Sequence, residues 1–222
     1  MAIEPRTPVR TWSKTETIRM KRSSGAIALA GLLLAAACAG QAAGPARSWY
    51  AAHDGVAPRA DRIYVCHAFG CARKTAVSYS GKDLAMLRRI LAKGRASPAA
   101  ERKAIAEAVA WAERKAGPIV GSEGDVGGFD LHNSGVPGQM DCIDEATNTT
   151  SVLLLAADRK YLAHHTVSRP VARGFFLDGR YPHATAVVRS SDGSAYAVDS
   201  WPEANGKKPI VQPLDAWFAE RS

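Results

Sequence analysis

The chain has 222 residues, of which 46% are hydrophobic and 23% charged. This balance is that of an ordinary globular protein, and it excludes collagen-like, coiled-coil and largely disordered classes. The formal charge is +8, but residues 1–38 hold six Lys/Arg and two Asp/Glu, which leaves 23 basic and 19 acidic residues. We expect one domain and no nucleic-acid partner, because this excess is small and no Lys/Arg run contains interleaved aromatic residues.

The N-terminus has the organisation of an export signal. Met20-Lys21-Arg22 forms a basic segment, and an apolar stretch follows over 26–37. The apolar stretch is too short to cross a bilayer, which requires about 20 residues. We therefore predict a start-site extension over 1–19 and a signal peptide over 20–39, so the protein is expected to be exported.

Two processing routes remain open at the end of this signal. Cys38 ends the apolar stretch in a segment that resembles a bacterial lipoprotein box, in which the cysteine is lipidated. Ala37 and Ala39 equally satisfy the small-residue rule for ordinary cleavage before Gly40. The protein is accordingly expected to be lipid-anchored in the cell envelope or periplasmic. Residues 40–61, rich in Ala, Gly and Pro, predict a flexible tether, followed by a domain over 62–222.

Three cysteines remain in the exported part of the chain. Cys66 and Cys71 flank a short loop that Gly70 can turn back on itself, and an oxidising compartment favours a disulfide between them. The alternative is a metal site using Cys66, His67 and Cys71, but no second cluster with zinc spacing supplies a fourth ligand. Cys142 is left as the odd thiol.

The predicted elements of the domain begin with a short strand over 63–65. Apolar residues at helical spacing predict a helix over 82–93, which Gly94 ends. Ser97-Pro98 is a cap followed by a first-turn proline, and it predicts a second helix that runs to residue 116. The Gly-rich segment over 117–138 predicts irregular structure.

A further helix is predicted over 141–157, followed by strands over 162–167, 183–189 and 194–199. Ser191-Asp192-Gly193 joins the last two strands as a hairpin. Because the helices precede the strands, the order favours an α+β domain with an antiparallel sheet over a βαβ fold.

Cys142 opens the helix that follows the Gly-rich segment. A thiol at this position faces unpaired backbone N–H groups and the positive end of the helix dipole, which both favour the thiolate. We therefore expect Cys142 to be a thiolate nucleophile rather than a small buried apolar residue.

A cysteine nucleophile needs a base, usually histidine, and a third group that orients the imidazole. The three-residue turn makes Ser190 and Ser194 the closing pair of the hairpin. Counting back from that pair places His183 and Asp199 on one face as diagonal neighbours. The alternative bases have weaker support: His164 and His165 point to opposite faces of a strand, and His132 lies in the Gly-rich segment.

These residues resemble those of the bacterial transglutaminase-like cysteine proteinases, of the papain/transglutaminase-like superfamily. The shared pattern is Asp141-Cys142-x-Asp144 at a helix start, His183-Ala184 at a strand start and Val198-Asp199 at a strand end. The similarity covers about residues 120–220. It implies a Cys142, His183, Asp199 triad and a catalytic helix packed on an antiparallel sheet, here with extra N-terminal helices.

The resemblance also implies roles for three residues near the nucleophile. Gln139 is a candidate oxyanion donor by analogy, with the Cys142 backbone N–H as the alternative. Asp141 and Asp144 are candidate calcium ligands, while their alternative role is to complement the helix dipole. No cofactor is required, and calcium is the one metal suggested.

The expected function is that of an exported thiol hydrolase, a peptidase or amidase that forms a thioester. Its partner would be a peptide or protein substrate, such as an envelope or cell-wall component. One alternative is a cell-wall peptidase of the NlpC/P60 type, which usually has Asp-Cys-Ser-Gly and a polar third residue, unlike Ile143-Asp144 and Asp199. The other alternative is a non-catalytic envelope lipoprotein on the same scaffold.

Overall fold

A computed structural model describes residues 44–174 and 181–220. The predicted start-site extension over 1–19 and signal peptide over 20–39, with the candidate lipidation site Cys38, lie outside the described residues. No helix in the described part of the chain is long and apolar enough to cross a membrane.

The described residues form helices and two antiparallel sheets, so the α+β class is confirmed. The helices are α1 (Ser48–Ala52), α2 (Gly81–Ala92), α3 (Pro98–Val120), α4 (Cys142–Asp158) and α5 (Leu214–Ala219), with a 3₁₀ turn at Leu131–Asn133. The strands are β1 (Arg62–His67), β2 (Arg73–Ser78), β3 (His165–Arg173), β4 (His183–Ser190), β5 (Ala195–Asp199) and β6 (Ile210–Pro213). β1 and β2 pair in one sheet, and the other has the order β3-β4-β5-β6.

Helix α4 is the central element of the domain. Asp141 caps it by accepting a hydrogen bond from Asp144 N, and the Asp144 side chain in turn accepts one from Asp141 N. Nearly every residue of α4 to Ala156 is buried, because the helix packs against β1 on one side and β4 on the other. A helix enclosed in this way needs no polar face, which explains its apolar C-terminal half.

Helices α2 and α3 form where local signals predict them, but α3 is longer. Ser80 and Ser97 cap the two helices with their side chains. Helix α3 continues through Gly117 and Pro118 and ends at Gly121, whose φ is 82°. The extension beyond residue 116 buries Val120 in the main core, so tertiary packing overrides the two helix-breaking residues.

The β4–β5 hairpin has the predicted register. Ser190 N donates to Ser194 O at 2.8 Å, and Gly193 adopts a φ of 90° in the turn. Ala186 therefore pairs with Val198, as the count from the turn requires. Strand β3 differs from the prediction, since it runs over His165–Arg173 rather than 162–167.

The predicted tether over 40–61 is wrong for its described residues, 44–61. Helix α1 buries Trp49 and Tyr50, each 3% exposed. Trp49 Nε1 donates to Thr147 Oγ1 at 2.9 Å, and the Tyr50 hydroxyl lies 2.8 Å from Ser151 Oγ. The two aromatic residues attach this segment to α4, so the packed domain begins before residue 62.

Candidate active site

Cys142 lies at the first residue of α4, with its sulfur against the start of β4. The thiol donates to Pro182 O at 3.8 Å, and the N–H of Ala184 donates to the sulfur. Pro182 and Ala184 are the neighbours of His183 in the chain. The fold therefore brings the predicted nucleophile to the segment that carries the predicted base.

The expectation of a thiolate is wrong for this arrangement. Burial raises the pKa of the Cys142 thiol to about 12, and the carboxylates of Asp141 and Asp199 act in the same direction. The N–H groups of Ala184 and of Cys142 itself lower the pKa, but they do not offset burial in a site where the residue is 7% exposed. The thiol is protonated at neutral pH, so attack requires a base.

His183 and Asp199 form the predicted pair. His183 Nε2 lies 2.6 Å from Asp199 Oδ2, and their side chains are 1% and 4% exposed. An ionised carboxylate can only accept, so Nε2 is the nitrogen that donates to Asp199, and Nδ1 is the nitrogen whose lone pair can take a proton. Within the described residues, Nδ1 is buried and has no hydrogen-bond partner. It is the nitrogen that can act as the base.

Three aromatic residues surround this pair, and the sequence did not indicate two of them, Tyr181 and Trp217. Trp217 Nε1 donates to Asp199 Oδ2 at 2.7 Å, from helix α5. The Trp201 ring lies 4.5 Å from the His183 ring, and Tyr181 stacks on Trp201 at 5.9 Å. Trp217 thus orients the carboxylate, while Trp201 and Tyr181 line the imidazole side of the site.

No protein-family model, curated protein or solved structure matches this chain. The chemistry of the site is therefore inferred from its own geometry and from the residues that carry the resemblance.

Asp141 and Asp144 hold the loop between Cys66 and Cys71. The two cysteine sulfurs are 2.08 Å apart, a disulfide distance. Asp144 Oδ1 accepts from Cys71 N at 2.6 Å and Oδ2 from Phe69 N at 2.8 Å, while Asp141 Oδ2 accepts from Gly70 N at 3.0 Å. Because the carboxylates bind main-chain N–H groups here, their calcium role stays a prediction.

The alternative metal site at Cys66, His67 and Cys71 is not supported. Both cysteines are in the disulfide-distance pair, so neither is a free thiolate. Both His67 nitrogens are engaged, since Nε2 lies 2.9 Å from Thr75 Oγ1 and Nδ1 accepts from Gly138 N at 3.1 Å.

Gln139 is tied to the Gly-rich segment. Its Oε1 accepts from Asn133 Nδ2 at 3.1 Å, and its Nε2 donates to Gly124 O at 3.4 Å. The side-chain amide has further donor capacity, so an oxyanion role stays a prediction. The Cys142 backbone N–H, which lies beside the sulfur, remains the alternative donor.

The competing histidines lie in other surroundings. His165 Nδ1 lies 2.8 Å from Glu101 Oε2, and both side chains are fully buried. In the β3–β4 ladder His165 pairs with Ser190, at the opposite end from Arg173, which pairs with His183. His164 contacts Arg95 O, and His132 is exposed on the 3₁₀ turn. The His165–Glu101 pair therefore stabilises the far end of the sheet.

Glu145 connects α4 to the strand that carries Asp199. Ser200 Oγ donates to Glu145 Oε2 at 2.7 Å and lies 2.9 Å from Thr149 Oγ1. Burial, together with the nearby Glu113, raises the pKa of Glu145 well above its ordinary value. This contact holds Ser200, the residue after Asp199, against α4. No local sequence signal could have indicated the contact.

Proposed function

We propose that this chain is a thiol hydrolase, a peptidase or amidase that acts through Cys142, His183 and Asp199. The observation that supports it is the buried His183–Asp199 hydrogen bond of 2.6 Å, which leaves the lone pair of Nδ1 available beside the segment that contacts the Cys142 sulfur. This arrangement supplies a nucleophile, a base and an orienting carboxylate in one place.

The protonated thiol makes His183 a general base at the moment of attack. The thiol turns from Pro182 O to Nδ1, which takes its proton as the sulfur bonds to the substrate carbonyl carbon. The carbonyl electron pair moves to oxygen, where the Cys142 N–H can donate to it. As the intermediate collapses, the C–N bond breaks, and the imidazolium gives its proton to the leaving nitrogen. Asp199 remains a carboxylate and stabilises the imidazolium.

Hydrolysis of the thioester follows by the same groups. Nδ1 takes a proton from water as the water oxygen bonds to the thioester carbon. The C–S bond then breaks, and the proton on His183 returns to the sulfur. The products are an acid and an amine, and the free thiol is regenerated.

A papain/transglutaminase-like core is the finer fold that we propose. Its support is the order of the site: a nucleophile at the first residue of α4, a histidine at the first residue of β4 and an aspartate at the last residue of β5. Asp199 as the third residue favours this interpretation over the NlpC/P60 type.

We place the enzyme outside the cytoplasm, periplasmic or lipid-anchored, with a peptide or protein of the envelope as its substrate. The disulfide-distance pair and the basic-apolar start of the sequence support this location. Peptide mapping of the mature N-terminus tests it. A lipidated Cys38 indicates the lipoprotein branch and an N-terminal Gly40 the secreted branch, while recovery of intact residues 1–37 contradicts both.

Alkylation of Cys142 by iodoacetamide near neutral pH tests the proposed function. His183→Ala removes the base and should slow alkylation about 100-fold, the lower end of general-base effects. Asp199→Ala should slow it less, because Asp199 acts only through the imidazole. His165→Ala is the matched control and should leave the rate unchanged. Equal rates in folded wild type and His183→Ala would disprove the catalytic role.

The second candidate is a non-catalytic binding protein on the same scaffold. The observation that favours it is the 7% exposed thiol, which donates to Pro182 O rather than to His183. It predicts slow alkylation that is the same with and without His183.

A further inference from the structure

A cleft of about 330 Å³ adjoins the site. Trp49, His53, Arg169, Pro170, Val171 and Ala172 line it. Its volume is at the lower end of small-ligand sites and suits a single amino-acid residue. The lining combines an aromatic wall with one permanent cation, Arg169.

The cleft borders the nucleophile through two of its lining residues. Trp49 packs in the same apolar cluster as Cys142 and Ala184. Ala172 pairs with Ala184 in the sheet, and the Ala184 N–H donates to the Cys142 sulfur. A substrate attacked by Cys142 therefore passes close to this cleft.

Arg169 reaches the cleft from an irregularity in β3. The register of the β3–β4 ladder shifts between Ser168 and Val171, which removes Arg169 and Pro170 from regular pairing. Bulges beside functional sites redirect side chains in this way. Arg169 N donates to Gly44 O at 3.1 Å, which holds the main chain in place.

The guanidinium of Arg169 has no acidic partner among residues 44–174 and 181–220. Its Nε is buried and makes no hydrogen bond in that part of the chain. Arg47 and Arg173 differ in having acidic partners, Asp158 at 2.7 Å and Glu220 at 3.0 Å, although Nε and Nη1 of Arg173 also make no hydrogen bond. An unpaired buried donor destabilises the protein, and an anionic ligand that accepts from it would remove that cost.

His53 does not add a second positive charge to this cleft. Its ring lies 3.7 Å from the Trp49 ring, and burial lowers its pKa, as does Arg169, while Asp141 acts in the opposite direction. A neutral imidazole beside the guanidinium adds a hydrogen-bonding group and no charge.

We propose that this cleft binds a carboxylate of the substrate and that Arg169 determines specificity for it. The inference rests on the proposed function and names its substrate class: peptides with a carboxylate near the bond that is cut. The planar guanidinium suits a carboxylate, which it can bind through two parallel hydrogen bonds. The carboxylate can be a free peptide C-terminus or an Asp/Glu side chain.

Matched chloroacetyl probes test the specificity. The thiol displaces chloride from the probe, so a C–S bond forms as the C–Cl bond breaks, and intact mass follows the reaction. Chloroacetyl-alanine carries a terminal carboxylate, chloroacetyl-alaninamide is its neutral match, and chloroacetyl-aspartic acid 1-amide carries only the side-chain carboxylate. In wild type, at least one carboxylate probe should react about tenfold faster than the neutral one, the effect of one charge-assisted hydrogen bond. The carboxylate probe that reacts faster shows whether the cleft binds a peptide C-terminus or an acidic side chain.

Arg169→Gln should remove the difference in rate between the preferred carboxylate probe and the neutral probe. It should slow alkylation by the carboxylate probe and leave alkylation by the neutral probe at the wild-type rate. Arg88→Gln, which changes an exposed arginine on α2, is the control and should keep the preference. If Arg169→Gln does not fold, Arg169→Lys keeps the charge and loses the paired geometry, and it should keep only part of the preference. High ionic strength should weaken the preference in wild type.

The outcomes separate this inference from the proposed function. Alkylation by the neutral probe that does not depend on His183 contradicts the proposed function. Alkylation that depends on His183 but shows no carboxylate preference in wild type, or a preference that survives Arg169→Gln, overturns the carboxylate subsite alone.

Discussion

His183 Nε2 lies 2.6 Å from Asp199 Oδ2, and this contact joins two residues at the open end of one hairpin. The three-residue turn at the other end sets the register, and the register places the carboxylate beside the imidazole. The turn of the hairpin therefore places Asp199 against Nε2 of His183.

Trp217→Phe should weaken the contact between His183 and Asp199. The substitution keeps an aromatic ring but removes the Nε1–H that donates to Asp199 Oδ2 at 2.7 Å. Because the bond is buried and reaches a carboxylate, the free energy of unfolding should fall by about 1.5–3 kcal/mol. Urea denaturation measures this loss, and Cys142 alkylation should slow as the carboxylate loses its orientation.

The matched control for Trp217→Phe is Trp111→Phe, on α3. Trp111 makes an edge-on contact with Tyr79 at 6.0 Å, outside the site. It should leave alkylation unchanged. Equal alkylation in wild type and Trp217→Phe would show that Trp217 does not orient Asp199 for the reaction.

The hairpin and the helix caps could be predicted from sequence because their physics is local. Ser191-Asp192-Gly193 specifies its own turn, and Asp141 with Asp144 specifies the start of α4. The pKa of the Cys142 thiol could not be predicted from sequence. It depends on the dipole of its own helix and also on burial by β4 and α1, which are distant in the chain.

Long-range contacts explain the other residues that the sequence did not indicate. Trp49 follows a Gly/Pro-rich stretch that is typical of a tether, and only its contact with Thr147 shows that it is packed. Trp217 and Glu145 meet Asp199 and Ser200 from elements distant in the chain. Pairing of this kind leaves no periodicity or spacing that a sequence could reveal.

Gly138→Ala should destabilise the protein more than Gly135→Ala. Both glycines have positive φ, 89° and 82°. A side-chain carbon at Gly138 would fall on the carbonyl oxygen of Gly121, whereas at Gly135 it would meet no atom within 4 Å. Gly135→Ala should cost about 1–2 kcal/mol, the left-handed penalty alone, and Gly138→Ala should cost more because the backbone must move.

Urea denaturation of the two glycine variants gives the comparison. Alkylation of Cys142 provides a second readout, because Gly138 precedes Cys142 by four residues and its N–H donates to His67. Equal destabilisation by the two substitutions would contradict the close approach at Gly121.

The Cys66–Cys71 disulfide should be present in protein purified from an oxidising compartment. Its intact mass should be two hydrogens below that of the reduced form. Three residues of the loop that are not glycine, Ala68, Phe69 and Cys71, have φ values of 67°, 68° and 57°. Cys66→Ser with Cys71→Ser should lower the free energy of unfolding by about 2 kcal/mol, as expected for a loop of this length.

The control for the double cysteine variant is Asp144→Asn, which perturbs the same loop but leaves both cysteines in place. It replaces a carboxylate that accepts from Phe69 N and Cys71 N. It should destabilise the loop, while the mass still shows the bond. Two freely alkylated thiols at Cys66 and Cys71 under non-reducing conditions would contradict the disulfide.

Glu113→Gln should flatten the dependence of stability on pH. Burial raises the pKa of Glu113 to about 8, with Asp125 acting in the same direction, although Gly206 N donates to the carboxylate at 2.7 Å. The folded protein therefore keeps a proton that the unfolded chain releases above its ordinary pKa of 4.5. The contribution of Glu113 to the free energy of unfolding should fall as pH rises from about 5 to about 8 and level off above that range. Urea denaturation at both ends of this pH range should show a smaller fall for Glu113→Gln, with a gain in stability at the higher pH.

Glu107→Gln, on the same helix, is the control. The pKa of Glu107 is lowered by Lys93 and Lys208, so its titration is complete below this range. An equal fall in wild type and Glu113→Gln would show that Glu113 does not hold the proton.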